Sequence, residues 1–181
     1  MTHLTTILFS SLFVCCNVFA GPVSSVALGT LSCALNERMQ VMKEVAVYKA
    51  QHHLPIEDLP REQQVMQSML KNAEQAGLEP RSVEPFVHAL MNASKAIQYR
   101  YRADWLSAPD NATPVRELAD TRQQIQRLDS QLLNAIGQQL LAGGFPNAGR
   151  AWLASQLTAA NLSEGDKNSL LTSLAGIQRS P

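Results

Sequence analysis

The chain has 181 residues, 45% of them hydrophobic, enough for one domain with a sizeable core. Fifteen basic residues balance fifteen acidic ones, so the basic excess expected of a general nucleic-acid binder is missing. Aromatic residues make up only 6%, and the dominance of Ala, Leu, Gln and Met over β-branched runs favours helices.

Leu4 to Ala20 form an apolar stretch without a charged residue. It is shorter than the ~20 apolar residues of a comfortable membrane span. Val18 and Ala20 occupy the positions a signal peptidase reads, just ahead of Gly21-Pro22. Residues 1–20 are therefore expected to be a secretory signal cleaved after Ala20. The mature chain, 21–181, is expected in the periplasm or outside the cell, without membrane attachment. Only His3 and the amino terminus supply positive charge ahead of the stretch, and Cys15 and Cys16 lack the small preceding residue of a lipoprotein signal. After cleavage Cys33 alone remains, which excludes an intramolecular disulfide and leaves stability to packing. Cys33 reads as a small residue near the start of the first helix.

The first helix is expected over about 25–52. Its residues Leu35, Arg38, Met42, Val45 and Lys49 step by threes and fours, which keeps them on one face. A loop from Leu54 to Leu59 follows, in which Asp58 can cap the next helix and Pro60 suits its first turn. The second helix runs to Ala76 with Val65, Met66, Met69, Leu70 and Ala73 inward, and Gly77 stops it. The third spans about 80–107 with the seam Val83, Val87, Leu90, Ser94, Ile97 and Tyr101. After the loop Ser107 to Ala112, Thr113-Pro114 opens a long fourth helix. Its seam is Leu118, Arg122, Ile125, Asp129, Leu132 and Ile136, and Gly143-Gly144 ends it. A fifth helix after Pro146 carries Trp152, Leu153 and Leu157. The sixth begins at the capping box Ser163 to Asp166 and carries Leu170, Leu171, Leu174 and Ile177. The pattern predicts an all-α, single-domain bundle of about six helices.

Polar residues break the apolar seams. Arg38 and Lys49 lie about three turns apart on the first helix, Ser94 and Gln98 one turn apart on the third, and Arg122 with Asp129 on the fourth. Asp58, Arg61 and Glu62 cluster where the second helix opens. Lysine and arginine are almost never left buried without a partner. A structural network pairing Arg38 or Arg122 with Glu62 or Asp129 would satisfy some of the cations. It would leave others unmatched and give Ser94 and Gln98 no specific task. Three arginines and a lysine beside a serine and a glutamine suit a small molecule with two carboxylates, because guanidinium forks hold carboxylates and lysine supplies a point charge. No Ser/His/Asp set, Cys/His pair, HExxH spacing or glycine-rich phosphate loop is present. His52, His53 and His88 have no partner at ligand spacing, so neither a metal nor another cofactor is expected. The chemistry should rest on electrostatics and positioning.

The segments VAVYKAQHHLPIEDLPREQQ (45–64), EPFVHALMNASKAIQYRYRADW (84–105) and TRQQIQRLD (121–129) resemble the AroQ-type chorismate mutases, most closely the exported γ subclass. The resemblance extends over about residues 31–140, which would form the catalytic core; residues 146–179, a C-terminal helical hairpin, match only in kind. It implies an all-helical enzyme, an isomerase, that converts chorismate to prephenate by an intramolecular [3,3] rearrangement. It also implies a site within one chain's bundle and a homodimer. By this resemblance Arg38, Arg61 and Arg122 would hold the two carboxylates of the substrate. Lys49 and Gln98 would donate to the ether oxygen of the breaking bond, and Glu62 would bind the ring hydroxyl. Asp58 would support the site or contact that hydroxyl, and Ser94 would assist at a carboxylate or hydroxyl. Some relatives carry Glu where this chain has Gln98; an amide donates at any pH, so activity should be nearly flat between about pH 5 and 9. An isochorismate pyruvate lyase on the same scaffold and an exported, non-catalytic ligand-binding bundle are the alternatives.

Overall fold

The computed structural model describes residues 26–109 and 113–181. The expected signal, with Cys15 and Cys16, lies outside them. Seven helices are present among the described residues: α1 (Val26–Gln40), α2 (Met42–Gln51), α3 (Leu59–Gln75), α4 (Pro80–Ser107), α5 (Leu118–Leu141), α6 (Asn147–Gln156) and α7 (Glu164–Ala175). The additional helix arises at Val41, which divides the expected first helix into α1 and α2. The division is slight. Val41 keeps right-handed helical dihedrals, its N–H donates to the Glu37 carbonyl at 3.0 Å, and its carbonyl accepts from Val45 at 3.3 Å.

The expected opening of the fourth helix at Thr113-Pro114 is not realised. Residues 114–117 are not helical, and α5 begins at Leu118. Glu117 turns the chain with extended dihedrals, and its carbonyl collects the N–H groups of Asp120 and Thr121. The proline signal therefore sits one turn ahead of the true start. Ile177, expected on the last helix, follows α7 and is nevertheless buried. Cys33 lies within α1 with an exposed thiol.

Other punctuation acts as its chemistry dictates. Asp58 caps α3 by accepting from the Arg61 N–H at 3.1 Å. Gly77 adopts φ +70° just past α3, and its neighbour Leu78 donates back to Ala73, closing the helix end. Gly143 and Gly144 take positive φ after α5. Ser163 and Asp166 form a reciprocal capping box at the start of α7.

The inward faces meet in one core. Helix α1 runs along α5, while α4 packs on α2, α3 and α7. Leu31, Leu35 and Met39 of α1, Phe86, Leu90 and Ile97 of α4, and Leu132 and Ile136 of α5 are fully buried. Each such side chain contributes about 1.5–3 kcal/mol of hydrophobic stabilisation. The turn between α3 and α4 is tied to the C-terminus, where Glu79 donates to Gln178 and Ser180 donates to Gly77. This scaffold gathers polar interruptions from α1 to α5 around one cavity.

Candidate active site

The last turn of α1 brings in Arg38, and α2 brings in Lys49. Helix α3 contributes Arg61 and Glu62 in its first turn, with the capping residue Asp58. Helix α4 presents Ser94, Lys95 and Gln98, and α5 presents Arg122. All of them line one cavity with a free volume of about 630 Å³ including its mouth, a size usual for small-molecule sites. Met42, Val45, Met91 and Ile125 supply apolar wall. Every residue expected at the site is thus brought together within a single chain.

Arg38 is only 3% exposed. Its Nε donates to Asp129 Oδ1 at 2.5 Å, and a terminal N–H donates to Ser94 Oγ at 2.7 Å. The Ser94 hydroxyl in turn donates to the Leu90 carbonyl at 2.7 Å. Asp129 is buried behind the arginine, so two fixed acceptors orient the guanidinium and leave further donors for a ligand. Of the structural pairings weighed from sequence, Arg38–Asp129 is the one that forms. Arg122 pairs instead with Asp58 at 3.0 Å, partly exposed.

Lys49 is 6% exposed and donates to the Ile56 carbonyl at 2.6 Å, which spends one of its three N–H groups. Burial lowers its pKa below the ordinary lysine range. Asp58 opposes this, and Arg122 and Arg102 add to it. Arg61 is pulled down in the same direction by burial first and then by Arg122. Its guanidinium reaches the Gln64 side chain at 3.3 Å. Gln98, buried, donates through Nε2 to the Ser94 carbonyl at 3.0 Å, with the Met42 sulfur at 3.7 Å. A thioether is a weak acceptor, so that second amide hydrogen is readily redirected.

Lys95 was not anticipated. It holds Glu62 Oε2 at 3.0 Å, joining α4 to α3. It directly follows Ser94 and reads in the sequence as a solvated charge. The signal that finds it is the series Met91, Ser94, Lys95, Gln98, whose spacing puts all four on one helix face. With it, five cations meet Asp58, Glu62 and Asp129, leaving an excess of two positive charges. Two buried acceptors in this cavity, Glu62 Oε1 and Gln98 Oε1, have no hydrogen-bond partner. Such atoms are costly unless something supplies a donor. Among the described residues no group of three or more His, Cys, Asp or Glu side chains could share a metal ion.

The family model described as chorismate mutase type II matches residues 30–99. A monofunctional chorismate mutase of Enterobacter agglomerans is 72% identical over 179 residues, 99% of each chain. The chain belongs to the chorismate mutase type II family. A secreted chorismate mutase of Yersinia pestis is 41% identical over 141 residues, 77% of this chain and 75% of its own length. The crystal structure of secreted chorismate mutase from Yersinia pestis matches with a TM-score of 0.79 at 36% identity, covering 84% of this chain and 99% of that one. The enzyme is accordingly an isomerase, a chorismate mutase, and the lyase and non-catalytic alternatives find no support. The relatives described as secreted support export. Among the described residues no helix is long and apolar enough to cross a membrane.

Proposed function

We propose that this cavity binds chorismate as a dianion in a compact conformer and converts it to prephenate by stabilising charge on the ether oxygen. The observation that carries this reading is the surplus of two positive charges around a cavity that also contains Lys49 and Gln98. A pericyclic rearrangement needs neither nucleophile nor general acid. It needs the reacting ends held close and the transition state bound more tightly than the substrate.

The division of labour follows from which donors are spent. Arg38, fixed by Asp129 and Ser94, clamps one carboxylate, and Arg61 and Arg122 serve the carboxylates from the α3 and α5 side. Lys49 keeps two N–H groups beyond its bond to Ile56, and Gln98 can turn one amide hydrogen from the Met42 sulfur. Together they donate to the oxygen whose bond to carbon breaks. Both are anchored before the substrate arrives, so little reorganisation is required as charge develops. Glu62 accepts from the ring hydroxyl. Asp58 holds Arg122 and caps α3, and Ser94 acts chiefly by orienting Arg38.

We further infer that the enzyme is exported after cleavage behind Ala20 and works as a homodimer, with each bundle carrying its own site. The test is to supply chorismate to purified enzyme beginning at Gly21 and to follow prephenate formation, with Lys49→Ala alongside. Loss of a fixed donor of this kind costs about 3–4 kcal/mol, or about 10²–10³ in kcat. Full activity in Lys49→Ala would refute the assigned chemistry.

A further inference from the structure

Lys95 and Glu62 are tied across the cavity wall by a 3.0 Å ion pair, both side chains about three-quarters buried. The pair engages only Oε2. The other carboxylate oxygen, Oε1, is buried and has no partner. An ionised acceptor left this way is more costly than a neutral one, so the site is built for a donor that arrives with the ligand. At neutral pH both carboxyl groups of chorismate are ionised, and its only hydrogen-bond donor is the ring hydroxyl. A carboxylate free to rotate could offer either oxygen, or turn away towards Lys49 or Arg61. Lysine at position 95 removes that freedom by holding one oxygen and leaving the other.

We propose that Lys95 is a positioning residue: by gripping Glu62 Oε2 it presents Oε1 as the acceptor that reads the substrate's ring hydroxyl, and so it sets selectivity for a hydroxylated substrate. This rests on the proposal that the cavity binds chorismate. Lys95 touches Glu62 rather than the reacting atoms, and the hydroxyl is present in both ground and transition states. Its loss should therefore fall on KM more than on kcat.

The experiment compares wild type, Lys95→Met, Lys95→Arg, Glu62→Gln and the Lys95→Met/Glu62→Gln double variant. Each is assayed with chorismate and with the analogue in which the ring hydroxyl is replaced by hydrogen. Lys95→Met should raise KM for chorismate about tenfold, the scale of one weakened hydrogen bond to a charged group, while kcat changes little. The same variant should raise KM for the deoxy analogue much less, since that dianion loses only one cation of the surplus and no hydroxyl contact. Lys95→Arg should restore most of the chorismate KM, and adding Lys95→Met to Glu62→Gln should raise KM for chorismate no more than for the deoxy analogue. An equal KM rise for both substrates, or an undiminished effect in the Glu62→Gln background, would overturn the proposal. Wild-type enzyme that fails to turn over chorismate at all would instead refute the functional reading beneath it. Lys95→Arg retains the cation and the fold-bearing contact, so a misfolded Lys95→Met does not remove the test: Lys95→Arg that loses selectivity for the hydroxylated substrate counts against the proposal.

Discussion

Removing Asp129 tests whether the Arg38 clamp is held from behind. Arg38 and Asp129 are 3% and 4% exposed and meet at 2.5 Å. In Asp129→Ala the guanidinium keeps Ser94 Oγ at 2.7 Å but loses the carboxylate paired with it. Breaking a buried pair by deleting one partner costs about 3–5 kcal/mol, because a charge is left uncompensated. Coulomb's law points to the same range, since unit charges 4 Å apart attract by about 4 kcal/mol at an effective dielectric of ~20. For a domain of this size each kcal/mol moves Tm by about 2–4 °C, so the melting temperature should fall by about 6–20 °C. Asp129→Asn keeps an acceptor oxygen without the charge and should fall in between. The assay is thermal unfolding followed by circular dichroism, with kcat/KM measured well below the lowered Tm. There, Asp129→Ala should bind substrate more weakly because Arg38 is no longer aimed. If Asp129→Ala melted within 2 °C of wild type and kept its KM, the buried pair would carry neither the stability nor the orientation assigned to it.

Lys49 makes activity and stability diverge at alkaline pH. Burial, its largest influence, lowers its folded pKa below the ordinary lysine range. Between that lowered value and the unfolded value the unfolded chain binds more protons, so the Lys49 contribution to stability rises with pH. Activity falls across the same window as the ammonium is lost, and this sets the upper end of the otherwise flat profile expected from Gln98. Bound dianion favours the ammonium, so the alkaline limb should appear at lower pH in kcat/KM than in kcat. Profiles of both constants and of Tm, compared with Lys49→Met, check this; coincident limbs would contradict it. Gly137 offers a test of packing alone. A Cβ there would lie 2.8 Å from the Ala76 carbonyl oxygen. The roughly 1 kcal/mol of helix propensity gained by Gly137→Ala should be outweighed by the 1–3 kcal/mol typical of overpacking. The variant should melt at a lower temperature, and a higher Tm would refute the close approach.

Much of the fold was legible because its signals are local. A seam of threes and fours marks a helix whatever surrounds it, and Asp58, Gly77, Gly143-Gly144 and the Ser163–Asp166 box act within one turn of backbone. The two misplaced boundaries have local causes as well. Val41 carries no proline or glycine to announce a division, and Pro114 announces a helix that Glu117 and Leu118 begin later.

The sequence by itself marked Arg38, Lys49, Ser94, Gln98 and Arg122 as residues that share one cavity, because polar groups on their helix faces conflict with apolar periodicity on several helices at once. It also led to the expectation of a dianionic ligand, since the inward cations outnumber the carboxylates that could pair with them. Only the tertiary structure decided how those charges are shared. Asp129 lies ninety-one residues from Arg38 and Glu62 thirty-three from Lys95, so no spacing rule connects them. Lys95 itself became part of the site through the packing of α3 on α4, which brings it to Glu62. Pairing, burial and the free oxygen of Glu62 are properties of packed helices, and a helix read alone shows its face but not its neighbour.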